Sequence, residues 1–190
     1  KIQDKHVFAF ISGGNDSSVL AYFLKSIAPE EKLHFYYIRG LGSDEDLEKI
    51  ALIGNVNIID ARQKFLRALK GIIDPEEKRR IIGRIFVEIW QEFIYDINYD
   101  KNFGENMPLL CRNNVVINGT DYLLAQGTIY PDIIESGRMH HADKIKSHNN
   151  TLIKADIEPF SNLFKEDVRK IGRILSVPER LITQHPSPGP

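Results

Sequence analysis

The chain has one cysteine in 190 residues, Cys111, so no internal disulfide can form. That suits a reducing compartment, and a cytoplasmic setting is expected. No apolar run approaches the roughly 18 residues that a bilayer crossing needs, and no signal-peptide pattern is present. Net charge is nearly nil: 25 Lys and Arg stand against 26 Asp and Glu, giving −1. A general electrostatic attraction to nucleic acid or to a membrane surface is therefore not expected. Cys111 has no neighbouring base of the kind a nucleophilic thiol needs, so it reads as structural. The triplets Asn15-Asp16-Ser17 and Asn118-Gly119-Thr120 match the glycosylation acceptor pattern by chance. What remains is a globular composition, 42% hydrophobic and 27% charged, enough to bury one sizeable core.

The most informative stretch is Val7-Phe8-Ala9-Phe10-Ile11-Ser12-Gly13-Gly14-Asn15-Asp16-Ser17-Ser18. A continuous apolar run predicts a buried parallel strand over 7–11. Small residues then make a tight loop. Val19, Leu20, Phe23 and Leu24 follow at helical spacing, with Ser17 or Asp16 available as the cap. Strand, small-residue loop and helix N-terminus together gather backbone N–H groups around one anion. The expectation is a cradle for nucleotide phosphates.

Further strands are predicted at Leu33–Ile38 and Val56–Ile59, and helices at Asp44–Ile53, capped by Ser43, and at Ala61–Leu69. The order β-α-β-α-β-α implies a parallel sheet covered on both faces. Asp74-Pro75-Glu76-Glu77 is a helix start with cap, Pro at the first position and acids at the positive dipole end. That helix is expected to run to about Tyr95, with Trp90 on its apolar face. Residues 96–114 read as an irregular excursion. Tyr122–Gln126 is another short strand, leading into Gly127-Thr128-Ile129-Tyr130-Pro131-Asp132-Ile133-Ile134-Glu135-Ser136. If Pro131 opens a helical turn, Asp132 and Glu135 share a face. They either complement a helix dipole or form a site; their place after a strand's C-terminal end favours a site. His140, His141 and His148 do not have zinc spacing. With Lys144 and Lys146 they read as a basic loop that closes on phosphates. A fifth strand is expected at Leu152–Ile157. Leu163, Phe164, Val168, Ile171, Ile174 and Leu175 form a helix face, with Lys165, Arg169, Lys170 and Arg173 on the solvent side. Pro178 starts a last short helix.

The Ser12–Ser18 loop resembles the PP-loop of N-type ATP pyrophosphatases, a group that includes NAD, asparagine and argininosuccinate synthetases and tRNA-thiolation enzymes. Asp74-Pro75-Glu76-Glu77-Lys78-Arg79-Arg80-Ile81-Ile82-Gly83 resembles an element of the GMP synthetase family. Leu124–Ser136 is similar, almost letter for letter, to that family's signature. Ile145-Lys146-Ser147-His148-Asn149 and His185-Pro186-Ser187-Pro188-Gly189-Pro190 resemble its lid and hinge segments. The Asn-rich excursion resembles protozoan forms of the enzyme.

The resemblance implies an α/β fold, a twisted five-stranded parallel sheet with helices on both faces. It implies an ATP-pyrophosphatase domain over 1–185 and the start of a hinge at 186–190. An N-terminal glutaminase domain and a C-terminal dimerisation domain, through which a homodimer forms, lie outside the chain. The implied reaction adenylates XMP with ATP and Mg²⁺, and ammonia then displaces AMP to give GMP. By the same resemblance Ser12, Gly13, Gly14, Asn15, Asp16, Ser17, Ser18 and Gly127 bind ATP. Asp16 holds Mg²⁺, and Arg79 binds XMP. Asp16, Asp132, Glu135, Lys146 and His148 are the catalytic candidates. Three departures are visible. Asn15 stands where the family has Val or Ile. Arg39-Gly40-Leu41-Gly42 lacks an expected Asp. The segment after Asn150 is short. The alternatives are another PP-loop ligase and a degenerate nucleotide-binding domain.

Overall fold

In the computed structural model the described residues are 2, 4–42, 44–99, 122–135 and 155–183, with 91, 93–99 and 135 described by backbone alone. Four parallel strands make one sheet: β1 (His6–Phe10), β2 (Leu33–Arg39), β3 (Val56–Asp60) and β4 (Tyr122–Ala125), in the order β3-β2-β1-β4. Of the expected fifth strand, Leu152–Ile157, only residues 155–157 are described, and they make a single parallel bridge between Ala125 and Ile157. The reason is local. The N–H groups of Asp156 and Ile157 both donate to the Leu124 carbonyl, while the Leu124 N–H donates to the Asp156 carboxylate at 2.9 Å. A side chain thus takes the place of the next main-chain acceptor, and the ladder ends.

Alternation along the strands sends side chains to two separate cores. Val7, Ala9, Ile11, Phe35 and Tyr37 pack on one face against α1 (Asn15–Ile27), α2 (Asp44–Ile53), α6 (Lys165–Ile174) and α7 (Glu179–Ile182). Phe8, Tyr36, Ile59 and Leu124 pack on the other against α3 (Arg62–Leu69) and α4 (Pro75–Tyr99). Both faces are covered, as the near-continuous apolar strands require.

Helix α4 starts as read: the Asp74 carboxylate accepts the Glu77 N–H at 2.7 Å and Pro75 opens the helix. It ends at Tyr99 rather than Tyr95, since no Gly or Pro intervenes. Trp90 is half-buried, edge-to-face on Phe10. Ile174 departs from its expected buried face and is 80% exposed. Helix α6 buries Val168 and Gly172, four residues apart. A residue two beyond Gly172 is turned to the far side.

At the N-terminal end of the sheet, His6 Nδ1 lies 2.8 Å from His34 Nε2, and the His34 ring stacks on Phe8. Burial, then the His6 and Lys32 charges, push His34 from 6.5 down to about 4. Between those values the unfolded chain binds a proton that the folded chain refuses, so stability falls as pH drops from about 6.5 to about 4. The melting temperature is expected to decline across this window and to decline less in His34→Gln. An identical pH dependence in the two proteins would contradict the assignment.

Candidate active site

Two strand ends meet where the chain changes direction across the sheet. From β1 the connections step outward to β2 and β3, and the chain then returns to place β4 on the other side of β1. The loops after β1 and β4 therefore diverge from neighbouring strand ends. This is the topological switch point at which parallel sheets bind ligands.

The loop after β1 is Ser12-Gly13-Gly14. Gly13 has φ +79°, a left-handed conformation that costs other residues about 1–2 kcal/mol. The Ser12 hydroxyl accepts the Gly14 N–H at 3.3 Å and lies 3.0 Å from the Ser17 hydroxyl. Ser17 Oγ accepts the Ser12 N–H at 3.2 Å and donates to the Gly14 carbonyl. These contacts tie the loop to the first turn of α1. Gly14 is the N-cap, in place of the expected Ser17 or Asp16, because the Ser17 hydroxyl is committed to the loop. Ser12, Gly14 and Ser17 make the outer rim. Ser18 lies beneath it, fully buried with an unpaired hydroxyl.

The loop after β4 comes against the same turn. A Cβ on Gly127 would lie 3.0 Å from the Asp16 carbonyl oxygen and 3.3 Å from the Ser17 nitrogen. A side chain here would be tighter against backbone than nearly all real contacts, so the approach favours glycine. Next, the buried Thr128 donates its hydroxyl proton to Glu158 at 2.7 Å. Helix α5 (Tyr130–Glu135) then begins one residue before Pro131. Its third residue, Asp132, reaches back to accept the Ile129 N–H at 3.1 Å, half of a capping box. Asp132 thus performs the capping duty that its spacing allowed, and it also belongs to the site. Its charge acts directly on Asp16.

Asp16 is the electrostatic centre. Burial raises its carboxyl above the usual carboxylate range; Lys165 opposes this, Asp132 adds to it, and an amide hydrogen bond from Asn15 and the charge of Arg169 oppose it further. Lys165 and Arg169 sit one turn apart at the start of α6 and turn toward the site rather than to solvent as expected. Arg169 also ion-pairs with Glu166, and its Nε is buried without a partner. Sequence reasoning set these two cations aside because their helical spacing matched an ordinary charged face. The signal that could have found them is spacing: Lys165, Val168, Arg169 and Gly172 recur at i, i+3, i+4 and i+7, so the two cations share the face that packs.

Of the remaining candidates, Arg79 alone is described with its side chain. Arg79 lies on α4, across the sheet from α1, and pairs with Glu76 at 3.0 Å. Glu135 is on α5 by its backbone, and its side chain lies outside the described residues, as do Lys146, His148 and the 186–190 segment. No group of three metal-ligating side chains occurs among the described residues. One or two carboxylates are nonetheless what Mg²⁺ takes when substrate phosphates and water complete its shell. Asp16 and Asp132 fit that donor set.

No family model matches the chain. Curated relatives do. It is 39% identical to the glutamine-hydrolysing GMP synthase of Aquifex aeolicus, with all of this chain and 35% of the relative covered. The corresponding enzyme of Thermosipho africanus is 38% identical, covering 95% of this chain and 34% of the relative. The chain is homologous to one segment of the GMP synthases. It spans about a third of the length of these relatives. Among solved structures, the NH3-dependent NAD synthetase of Campylobacter jejuni superposes with a TM-score of 0.61 at 15% identity, covering 95% of this chain and 68% of that one. The NMN synthetase of Francisella tularensis gives 0.56 at 16% identity, covering 97% and 67%. At such identities the likeness establishes the fold, and the fold is the one expected from the PP-loop.

The close approach of Gly127 to the first turn of α1 makes a direct expectation. Gly127→Ala forces a methyl against backbone atoms that cannot rotate away. It is expected to destabilise the fold by about 1–3 kcal/mol, the usual cost of overpacking. A urea midpoint equal to that of the parent would argue against the close approach.

Proposed function

We propose that this chain is the ATP-pyrophosphatase part of a glutamine-hydrolysing GMP synthase. The observation that carries the reading is the meeting of the Ser12–Ser17 loop with Gly127 and Asp132 at the switch point. In this reading the loop N–H groups and the α1 N-terminus hold the pyrophosphate that leaves ATP. Asp16 and Asp132 hold Mg²⁺, which neutralises charge on the departing phosphates when bound. Lys165 and Arg169 add fixed positive charge beside the two carboxylates. XMP is adenylated, and ammonia from a glutaminase domain or subunit displaces AMP. Residues 1–185 form the domain and 186–190 begin a hinge to a dimerisation domain. Lys146 and His148 belong to a lid that keeps water from the adenylated intermediate. Arg79 binds XMP and Glu135 works with Asp132. Such a function belongs in the cytoplasm. No helix among the described residues is long and apolar enough to cross a membrane.

The test is pyrophosphate release by the full-length protein from ATP with XMP, compared with the acid forms of NAD precursors and with aspartate. Release that depends on XMP is expected. Release with another acceptor and none with XMP would replace this reading with a different PP-loop ligase. ATP binding without any release would leave a nucleotide-binding domain. Asp16→Ala is expected to lower XMP-dependent release by about 10²–10³-fold, as for loss of one preorganised charge, with the far-UV spectrum kept. Undiminished turnover would remove Asp16 from its role.

A further inference from the structure

Asn15 is an unusual occupant of its position. It is the first residue of α1, it is only 5% exposed, and apolar Ile11, Val19 and Leu20 belong to the core around this turn. Its Nδ2 donates to Asp16 Oδ1 at 2.9 Å. The amide must present its nitrogen there, because an ionised carboxylate only accepts. The consequence is that Asn15 Oδ1 is buried and without a partner among the described residues. A buried unpaired carbonyl costs stability, and an apolar side chain of similar size would avoid the cost. The chain therefore keeps a polar group where packing alone would favour an apolar one. Among the described residues the one hydrogen bond that the amide makes is to the Asp16 carboxylate.

We propose that Asn15 is a positioning residue: it fixes one oxygen of Asp16 so that the other is presented, in a set orientation, to a divalent cation on the loop-bound phosphates. The proposal rests on the nucleotide reading above. Asp16 lies among Asp132, Lys165 and Arg169, all of which act on its charge. Without a fixed hydrogen bond the carboxylate is free to turn toward either cationic side chain. An ion pair formed that way competes with cation binding. Hydrogen bonds that orient a ligating carboxylate commonly contribute ten- to hundredfold in metal affinity.

The experiment uses the full-length protein with α,β-methylene-ATP, and Mn²⁺ as the probe, its binding followed by electron paramagnetic resonance. Asn15→Val and the near-isosteric Asn15→Leu both remove the donor. Each is expected to weaken Mn²⁺ binding about tenfold in the presence of the analogue. Any loss of affinity for the analogue in EDTA is expected to be smaller than the loss of Mn²⁺ affinity. The melting temperature is expected to stay level or rise, since the unpaired carbonyl is gone. Mn²⁺ affinity unchanged within twofold, or tightened, overturns the proposal. A lowered melting temperature in both variants makes Asn15 a packing residue and also overturns it. A parent protein that binds neither the analogue nor Mn²⁺ overturns the nucleotide reading, and the proposal with it. Binding of both in the parent leaves that reading standing whatever the variants do.

Discussion

The pairing of β4 with β1 is the constraint on which the site depends. Its register, His6 with Tyr122 through Ala9 with Ala125, brings the two strands to the same level at their C-terminal ends. Two loops far apart in sequence are thereby delivered to one spot. A slip of one residue would turn Leu123, Leu124 and Ala125 to the wrong faces of a sheet buried on both sides. It would also carry Gly127 away from the first turn of α1. Register, core and site are thus specified together. The apolar alternation of β1 and β4 serves the chemistry by fixing where the loops start.

Much of the fold was legible because its signals are local. Apolar runs with small-residue boundaries marked β1, β2 and β3. Asp74 and Pro75 marked the start of α4. What was not legible depended on competition between partners. Ser17 reads as a helix cap from its type and place, yet its hydroxyl is drawn into the loop by Ser12 and Gly14. The last strand read from Leu152–Ile157 is cut short within the described residues, because the Asp156 carboxylate captures an N–H that a strand would have paired. Ile174 counted as apolar in the helical pattern of α6, but the face that packs is set by Val168 and Gly172.

The site was legible in the same uneven way. Gly127 and Asp132 could be placed near the loop because a strand precedes them. Lys165 and Arg169 are masked by Lys170 and Arg173 on the same helix, and only their sharing a face with Val168 and Gly172 sets them apart. Asn15 marks the opposite limit. Its type was plainly out of pattern in the sequence, but its role needed the geometry of a donor facing Asp16 and an acceptor facing nothing.

These charges also bear on the kind of ligand that the proposed site would take. The α1 N-terminus and the loop N–H groups favour negative charge. Asp16 lies beside them, raised by burial and by Asp132, and so favours positive charge. A bare anion would gain from the loop and lose against the two carboxylates. A bare cation would gain from the carboxylates and lose against the helix end. A polyphosphate carrying a divalent cation satisfies both, with the cation on the Asp16 side and the oxygens on the loop side. Lys165 and Arg169 then have a second effect. Their charges lower the Asp16 carboxyl against the burial and the Asp132 charge that raise it. On the proposed reading the close packing of α6 on α1 thus belongs to the site, although α6 contributes no part of the loop.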